Sequence, residues 1–376
     1  MSDLPAAKGA APFRATSASG SDNARLYGSP TYFDAEMAAL RDTAWHLVAT
    51  TDELARPNDW VRAHVWGTDV FVQNVRGEFR GFRNVCQHRG FPLRRAPAGS
   101  GPILCDFHAW RYDGDGVAVG VARNTELFCL SREERAAFAL PRVRVETAGT
   151  LVFAAIGDAV PPLDQYLGRF APLLRAATSK MGTSHHRWSG ETQANWKLSY
   201  EVTLDDYHVQ FVHPQSIGDE AIPYWGFVYE REGLHSHMLR RRTADWTFPG
   251  FWAGLEQGEY EYPGYKIHHI FPSSFLVATR EALLVTTFSP LGPDRTAVND
   301  RLFELTHNPQ DEAFWDAAVR TQRQVSDEDR RISEAQQQTI GALDRAPTFG
   351  ALEQRVAWFH EAYEERVGAR ARMANR

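Results

Sequence analysis

The chain has 376 residues, of which 43% are hydrophobic and 23% are charged, and its formal net charge is −6. This composition is typical of a globular protein with two domain cores, and its acidic balance excludes the basic surface expected of a nucleic-acid-binding protein. No apolar run approaches the length of about 18 residues that a membrane span needs. Residues 1–24 lack the apolar core of a signal peptide, so we expect them to form an unstructured extension.

The cysteine count indicates the redox compartment. Cys86, Cys105 and Cys129 are too few, and odd in number, for a disulfide framework, which favours a reducing compartment such as the cytoplasm. Cys129 lies between apolar residues, and the sequence predicts that it is a small buried hydrophobe. The other two cysteines occur in motifs of a different kind.

The first predicted domain is a small antiparallel β domain. A short helix is expected over residues 30–44, followed by alternating strand patterns at 61–66 and 70–75 with glycine-containing turns between them. A last strand at 150–156 leads into Pro161-Pro162, where we place the domain boundary. The prediction is therefore a first domain over residues 25–160, including its leading helix.

The second predicted domain covers residues 161–376. The sequence favours an amphipathic segment over 196–212 and two C-terminal helices, over about 311–340 and 352–367. An antiparallel sheet with a long C-terminal helix laid across it would be an α+β domain. The predicted strands are 185–191, 265–271, 274–278, 283–288 and 300–305.

Two short motifs in the first domain combine cysteine with histidine. Cys86 and His88 form one pair, and Cys105 and His108 form the second pair on a neighbouring loop. Both pairs are predicted to lie at the tips of hairpins, where a rigid sheet usually presents ligands. The residues alone leave two interpretations open, namely a zinc ion held by Cys2His2 and a Rieske [2Fe–2S] cluster with two cysteines on one iron and two histidines on the other.

A second constellation lies in the amphipathic segment. His208 and His213 would diverge by about 140° on an ideal helix, so they could bind one metal only if the helix ends or kinks between them. Asp205 lies three residues before His208, which places the two on one face of a helix. The alternative is a buried and a surface histidine without metal.

A 2-His-1-carboxylate iron site needs one further carboxylate from elsewhere in the chain. The C-terminal helix offers Asp327, Glu328 and Asp329, although an exposed acidic cluster is the commoner meaning of such a run. Helical periodicity points Asp327 into solvent, keeps Glu328 and Asp329, and slightly prefers Asp329. The predicted apolar stripe of this helix is Phe314, Ala318, Val325, Ile332 and Ile340.

Together these motifs resemble the catalytic alpha subunit of Rieske-type non-haem iron oxygenases that hydroxylate aromatic rings. The resemblance covers nearly the whole chain after the N-terminal extension, with three motifs in the family's order, whereas a zinc site explains only the first. The motifs are the two cysteine–histidine pairs, the stretch from Asn195-Trp196-Lys197 to His213-Pro214, and Asp329-x2-Ile332-x-Glu334.

The resemblance implies the roles of the matching residues. The implied ligands of a Rieske [2Fe–2S] cluster are Cys86, His88, Cys105 and His108. The implied ligands of a mononuclear Fe(II) are His208, His213 and Asp329. Asp205 would be the carboxylate that bridges an iron-ligand histidine and a cluster histidine of the neighbouring subunit. The family fold adds a helix-grip catalytic domain and a ring-shaped homotrimer, in which electrons cross the subunit interface.

The implied function is that of a terminal oxygenase component, which takes O2 and electrons supplied from NAD(P)H by a ferredoxin or flavin reductase. An aromatic compound is the leading substrate class, and a quaternary ammonium or methylated amine is the alternative; a Rieske electron carrier without oxygenase activity is more distant. The compact chain fits members that work without a small subunit. The predicted aromatic pocket residues are Tyr224, Trp225, Phe227, Tyr229, Trp246, Phe248, Phe251, Trp252, Tyr260, Tyr262 and Tyr265.

Two departures from the family pattern stand out. Asp106 replaces the proline that often follows the second cluster cysteine, and its charge is expected to lower the cluster potential. Val202 stands where the family commonly has an asparagine, which removes a hydrogen-bonding group near the iron. Neither departure changes an implied ligand.

Overall fold

The computed structural model describes residues 16–17, 22–217, 227–240, 248–260 and 265–373. The chain divides into two compact units, one formed by residues 40–166 and the other by the segments before and after them. None of the helices in the described ranges combines the length and apolar character that a membrane span needs.

The described strands, in chain order, are β1 (Thr16–Ser17), β2 (His46–Thr50), β3 (Asp59–Val65), β4 (Thr68–Val75), β5 (Glu78–Arg83), β6 (Ala98–Ser100), β7 (Ile103–Leu104), β8 (Arg111–Tyr112), β9 (Ala118–Gly120), β10 (Arg142–Ala148), β11 (Leu151–Ala155), β12 (Met181–Thr192), β13 (Phe227–Glu232), β14 (His235–Arg240), β15 (Lys266–Ile270), β16 (Ser274–Ala278), β17 (Ala282–Gly292), β18 (Arg295–Leu305) and β19 (Thr348–Phe349).

The described α-helices are α1 (Asn23–Gly28), α2 (Pro30–Thr43), α3 (Asn124–Leu127), α4 (Arg132–Ala136), α5 (Leu163–Leu167), α6 (Phe170–Thr178), α7 (Trp196–Leu204), α8 (Val209–Val212), α9 (Phe248–Glu256), α10 (Glu312–Thr339), α11 (Gln354–Tyr363) and α12 (Ala369–Met373). Short 3₁₀ turns occur at Thr51–Leu54, Ile340–Ala342 and Ala351–Glu353, and a π-helical turn occurs at Glu364–Gly368.

The unit of residues 40–166 is built on a seven-stranded antiparallel sheet in the order β2-β11-β10-β5-β4-β3-β6, with a small sheet β7-β8-β9. Phe71 and Phe82 pair across β4 and β5 and continue into the core that contains the two motif cysteines. The second cysteine–histidine pair lies at the tip of the β7–β8 hairpin, as predicted. The first pair differs, because it follows β5 in a loop to β6 and these two strands do not pair.

The other unit contains a seven-stranded antiparallel sheet in the order β12-β18-β17-β16-β15-β14-β13. The 28-residue helix α10 follows strand β18 in the chain. Asp311 caps this helix, since its carboxylate accepts a hydrogen bond from the N–H of Phe314. The α+β prediction is confirmed. The predicted apolar stripe of α10 is wrong at Ile332, which is 41% exposed, because polar residues such as Ser333 occupy the inward face.

The N-terminal segment belongs to this second unit as far as residue 39, which differs from the predicted first domain of residues 25–160. The reason is a buried polar network. Glu36 accepts hydrogen bonds from Lys197 Nζ at 2.6 Å and from Trp196 Nε1 at 2.9 Å, and it also contacts the hydroxyl of Tyr363. Part of the predicted extension is also ordered, because Asn23 Nδ2 donates to the carbonyl of Leu343.

Candidate metal centres and the adjoining cavity

The loop that carries the first cysteine–histidine pair is closed by its own backbone. The N–H of Cys86 donates to the carbonyl of Phe91 at 2.8 Å, and the N–H of Gly90 donates to the carbonyl of Cys86 at 2.9 Å. Gly90 has a φ of +74°, a left-handed conformation that glycine adopts without strain. A chain reversal of five residues therefore presents Cys86 and His88 from one side.

The second loop repeats this geometry. The N–H of Cys105 donates to the carbonyl of Trp110, and the N–H of Ala109 donates to the carbonyl of Cys105, both at 2.9 Å. Ala109 occupies the left-handed position with a φ of +53°, although it carries a Cβ. The fourth residue after each cysteine is thus left-handed in both loops, so the two loop backbones are equivalent, although the histidine is the second residue after Cys86 and the third after Cys105.

The four side chains fit a Rieske cluster. The rings of His88 and His108 lie with their centroids 4.7 Å apart, and the Nδ1 atom of each is buried without a hydrogen-bond partner. Cys86 and Cys105 are each 1% exposed. Burial lowers the pKa of His88, assisted by His108 and Arg89, and this favours the neutral imidazole that binds metal. Two buried thiols and two unpartnered Nδ1 atoms are the donors that such a cluster requires.

Tyr112 is a cluster-loop residue to which the sequence assigned no role. Its hydroxyl accepts a hydrogen bond from the N–H of Gln87 at 3.0 Å and lies 3.2 Å from Cys86 Sγ. Because the hydroxyl oxygen already accepts from Gln87, its proton is available to the sulfur. Hydrogen bonds to cluster sulfurs are one of the means by which a protein sets the reduction potential. In the sequence, the motif Trp110-Arg111-Tyr112 shortly after the second pair could have indicated this role.

Cys129 and Asp106 are both exposed to solvent. Cys129 is exposed, so its predicted burial is wrong; it has a φ of +56° in the loop after α3. Asp106 is exposed as well. Solvent screens an exposed charge, so its expected influence on the cluster is small.

The second centre begins where α7 ends. Asp205 leaves the helix with φ −98° and ψ 120°, and its Oδ1 accepts from the N–H groups of Tyr207 and His208, at 2.6 and 3.3 Å. The prediction that Asp205 and His208 share a helix face is therefore wrong, because a turn brings them together. His208 and His213 then flank the single turn α8, as its N-cap and C-cap. This break meets the condition under which both histidines could face one metal.

Three side-chain atoms converge at one point. His208 Nε2 lies 3.2 Å from His213 Nε2, and Asp329 Oδ1 lies 3.4 and 3.0 Å from these two atoms. Ligands about 2.1 Å from one ion, at angles between octahedral and tetrahedral, are separated by roughly 3.0–3.4 Å. Asp329 Oδ1 is buried without a hydrogen bond. Within the described residues, the side chains of His208, His213 and Asp329 form a group whose ligand atoms are close enough to hold a single metal ion.

Each histidine directs its other ring nitrogen to a carboxylate. His213 Nδ1 lies 2.7 Å from Glu328 Oε2, and His208 Nδ1 lies 3.5 Å from Asp205 Oδ2. Glu328 also accepts a hydrogen bond from Ser216 Oγ at 2.7 Å. Carboxylates behind histidines are the usual means of fixing the ring tautomer at a metal site.

Glu328 contacts a histidine, whereas Asp329 reaches the convergence point. Consecutive residues on a helix point about 100° apart, so adjacent carboxylates can serve different partners. The adjacent positions of Glu328 and Asp329 in the sequence could have indicated that Glu328 contacts a different partner from Asp329. The adjacent carboxylates of Asp205 and Asp206 likewise have different partners. Asp206 forms an ion pair with Arg355 at 2.7 Å, whereas Asp205 lies beside His208.

The electrostatics of the centre favour positive charge. Burial alone would lower the pKa of His208, but Asp205 and Asp329 outweigh it and raise the pKa to about 10. Burial opposes ionisation of Asp329, yet the two histidines outweigh it and lower the pKa of that carboxyl. The site stabilises a cation, and a metal ion would supply that charge while leaving the imidazoles neutral.

The convergence point opens into a cleft of about 130 Å³ between the sheet and helices α7 and α10. Of the predicted pocket aromatics within the described residues, only Tyr265 lines this cleft. Phe251 and Trp252 pack around His237 instead, and Tyr224, Trp225, Trp246 and Tyr262 lie outside the described residues. Val202, one of the family departures, lines the cleft. The aromatic lining that the structure adds comes from Trp188, Phe275 and Phe288.

Comparisons with known sequences agree with this arrangement. The family model of a Rieske [2Fe-2S] domain matches residues 44–131, and that of the ring hydroxylating alpha subunit (catalytic domain) matches residues 180–369. The carnitine monooxygenase oxygenase subunit of Acinetobacter pittii is 30% identical over 60% of this chain. That match spans 64% of the relative's length, which is slightly less than two thirds.

Comparisons with solved structures support the fold. The quaternary ammonium Rieske monooxygenase CntA in complex with L-carnitine aligns with a TM-score of 0.76 at 20% identity, covering 94% of this chain and 96% of that one. Naphthalene 1,2-dioxygenase from Rhodococcus sp. aligns with a TM-score of 0.76 at 18% identity, covering 92% and 94%. The chain belongs to the family of ring-hydroxylating oxygenase alpha subunits and contains the Rieske [2Fe–2S] and non-haem iron catalytic domains of that family.

Proposed function

We propose that this protein is a terminal oxygenase, which uses O2 and electrons from a reductase to oxidise a small organic molecule in the cleft. The observation that carries the proposal is the convergence of His208, His213 and Asp329 at the wall of that cleft. Three donors leave further positions of an iron open for O2 beside a substrate. A pure electron carrier would need neither this centre nor the cleft.

The proposed cofactor ligands are the two equivalent loops and this convergent triad. Cys86, His88, Cys105 and His108 hold a [2Fe–2S] cluster, and His208, His213 and Asp329 hold a mononuclear iron. When bound, the cluster supplies electrons one at a time and the iron supplies the site of O2 activation. The protein contributes the orientation of the imidazoles, through Glu328 behind one and Asp205 behind the other, and an apolar wall that keeps water from the substrate.

The proposed assembly is a ring-shaped homotrimer in which a cluster of one subunit serves the iron of the next. Large apolar side chains are exposed beside both centres, and such patches mark sites of association. Two different patches on one chain fit a head-to-tail contact, which closes into a ring. The patch of the 40–166 unit is Leu104, Phe107, Val119, Leu127 and Phe128, and the patch of the other unit is Tyr207, Phe211 and Ile332.

Asp205 is proposed to link the two centres across that contact. Its Oδ2 lies beside His208 Nδ1, and its side chain is 20% exposed, so it remains accessible to a neighbouring subunit. A carboxylate that contacts an iron-ligand histidine on one side and a cluster histidine on the other would give electrons a short hydrogen-bonded route. The proposed electron donors are a ferredoxin or flavin reductase fed by NAD(P)H, in the cytoplasm.

The test is substrate-dependent O2 uptake with a surrogate reductase, using a panel of aromatic and quaternary ammonium compounds and identifying products by mass. The variant His208→Ala is expected to keep the brown cluster absorption and to lose substrate-dependent O2 uptake altogether, because the iron loses one of three ligands. Full activity in this variant would contradict the assignment of the triad. Electron acceptance without O2 uptake by the wild-type protein would indicate a carrier instead.

A further inference from the structure

The floor of the cleft is a set of cross-strand rows on the seven-stranded sheet of the second unit. One row runs from Trp188 on β12 through Asp300 on β18 and Thr286 on β17 to Phe275 on β16. Residues directly opposite each other share one face of a sheet, and all four line the cleft. The neighbouring rows bring apolar side chains to the cleft, with Val298 and Phe288 on one side, and Leu284, Val277 and Ile267 on the other. The second of these rows also contains Leu302, which stands opposite the buried His186.

Asp300 is the acidic residue in these cross-strand rows. It is 3% exposed. Its carboxylate accepts hydrogen bonds from Thr286 Oγ1 at 2.6 Å, Ser326 Oγ at 2.9 Å and Gln322 Nε2 at 3.3 Å. These three donors are neutral, so they hold the carboxylate in place without compensating its charge.

No lysine, arginine or histidine in the described ranges forms an ion pair with Asp300. On the adjoining strand, burial, assisted by Arg323, lowers the pKa of His186, although Asp300 acts in the opposite direction. Arg330, which also lines the cleft, is bound by Asp327 and Glu334, each at 3.1 Å. A buried carboxylate without a cation is costly, and in a binding site the ligand is the group that can supply the missing charge.

An aromatic residue stands opposite this carboxylate in the sheet. Trp188 stands opposite Asp300 in the register of β12 and β18. A Cβ on Gly190 would lie 2.2 Å from Cζ2 of Trp188, so the indole lies back along the strand over that glycine. The absence of a side chain at position 190 therefore gives the ring room to lie flat on the floor. The face of an indole is the strongest aromatic partner of a cation.

Helix α10 contacts both the buried carboxylate and the metal centre. Ser326 and Asp329 lie three residues apart on α10, which corresponds to about 4.5 Å along the helix axis. Ser326 holds Asp300, and Asp329 reaches the convergence point. One face of α10 thus connects the buried carboxylate with the centre where the substrate is oxidised.

We propose that Asp300 and the Trp188 indole form the subsite that selects the substrate, and that they select one with a cationic nitrogen. This inference rests on the proposed function for the identity of the cleft as the substrate site, and it goes beyond it by naming the residues and the charge. A neutral aromatic ring alone would leave the carboxylate uncompensated. A quaternary ammonium and a protonated amine share the required charge, and the test separates them.

The test measures binding under anaerobic conditions, by calorimetry on the intact protein with both cofactors and without reductase. The probes are benzyltrimethylammonium, benzyldimethylammonium and neopentylbenzene, which have nearly the same shape but differ in charge and in the presence of an N–H group. The wild-type protein is expected to bind the two cations at least tenfold more tightly than the neutral hydrocarbon. A tighter protonated amine would indicate an N–H bond to Asp300, and a tighter quaternary ion would indicate the indole face as the main contact.

The variant Asp300→Asn keeps the size of the side chain and an oxygen for Thr286, and it is expected to abolish the preference by weakening only the cations. Asp316→Asn is the matched control, since it removes the same charge from an exposed position of α10 that does not line the cleft. It is expected to keep the preference. Trp188→Leu, which leaves the carboxylate in place, is expected to weaken both cations several-fold and serves if Asp300→Asn does not fold.

Equal affinity of the wild-type protein for the cations and the hydrocarbon, or an equal loss of all three in Asp300→Asn, would overturn the inference. These measurements require no turnover, so they are independent of whether the protein is an oxygenase. O2 uptake with a neutral ring compound and no cation preference would refute the subsite and leave the proposed function standing. A cation preference with no O2 uptake on any compound would do the reverse.

Discussion

The two centres of this protein are built in opposite ways. The cysteine–histidine centre consists of two loops that lie within 25 residues of each other in the sequence and are closed by their own backbone hydrogen bonds. The His208–His213–Asp329 centre joins a break between two helices to a third helix more than 100 residues later. Local backbone geometry positions the first centre, whereas tertiary packing positions the second.

This difference predicts where each centre is vulnerable. In the cluster loops several backbone bonds share the positioning, so the loss of one side chain behind a ligand should have graded effects. In the second centre, one carboxylate stands behind each imidazole, so the loss of one of these supports should impair a ligand directly. Four experiments, with five substitutions, test this contrast in order of decreasing expected effect.

The largest effect is expected for Asp205→Asn. The amide keeps the size of the side chain but cannot hold the charge between two histidines, so turnover should fall by about 10- to 100-fold. Iron and cluster contents, measured by metal analysis and absorption, should remain those of the wild-type protein. Wild-type turnover in this variant would refute the electron link, and loss of iron would attribute the lower turnover to the support that Asp205 gives to His208.

The variant Glu328→Gln should lower the iron affinity by about 10-fold, at the lower end of the range for groups behind metal ligands. The reason is that His213 loses the negative charge at its Nδ1 atom. The measurement is iron retention against a chelator, and cluster absorption should not change. Asp327→Asn, one residue earlier and paired with Arg330, is the control and should retain iron normally. Equal iron loss in both would attribute the effect to general charge.

The variant Tyr112→Phe should lower the reduction potential of the cluster by roughly 50 mV, because it removes a hydrogen bond of about 1 kcal/mol to Cys86 Sγ. The cluster should still assemble, since four ligands and the loop backbones remain. The measurement is a redox titration followed by absorption. Tyr166→Phe, outside the core around the two cysteines, is the control. An unchanged potential would remove Tyr112 from the functional residues.

The smallest effect is expected from exchanging the residue type at the left-handed positions. Ala109→Gly should stabilise the protein by about 1 kcal/mol, and Gly90→Ala should destabilise it by a similar amount. A Cβ on Gly90 meets nothing within 4 Å, so backbone strain is the only cost. Thermal unfolding should show midpoint shifts of opposite sign. Shifts of the same sign would contradict the equivalence of the two loops.

How far the sequence predicted each centre follows from this contrast. The ligand pairs Cys86–His88 and Cys105–His108 occupy short motifs, so their convergence could be expected from the residues alone. Periodicity could exclude Asp327 but could not choose between Glu328 and Asp329, because both lie near the edge of the inward face of α10. The choice depends on where α7 breaks, and that break is a property of the packed domain.

The cleft shows the other limit of sequence reasoning. Aromatic residues between positions 224 and 265 were expected to line it, but their number reflects packing around buried histidines as much as a binding site. The sequence did not indicate a role for Asp300, because a single aspartate in a strand is common. Only the register that places it between Trp188 and Thr286, facing the cleft, distinguishes it.

The buried pair of Glu36 and Lys197 has a consequence for how the chain folds as it is synthesised. The two residues are 161 positions apart, and the whole unit of residues 40–166 lies between them. At ~5–20 residues per second, roughly 8 to 32 s separate their synthesis. The unit of residues 40–166 can therefore fold first, while the apolar side of α2 and the Glu36 carboxylate are still exposed to solvent. Such a segment is a natural client for a chaperone during translation.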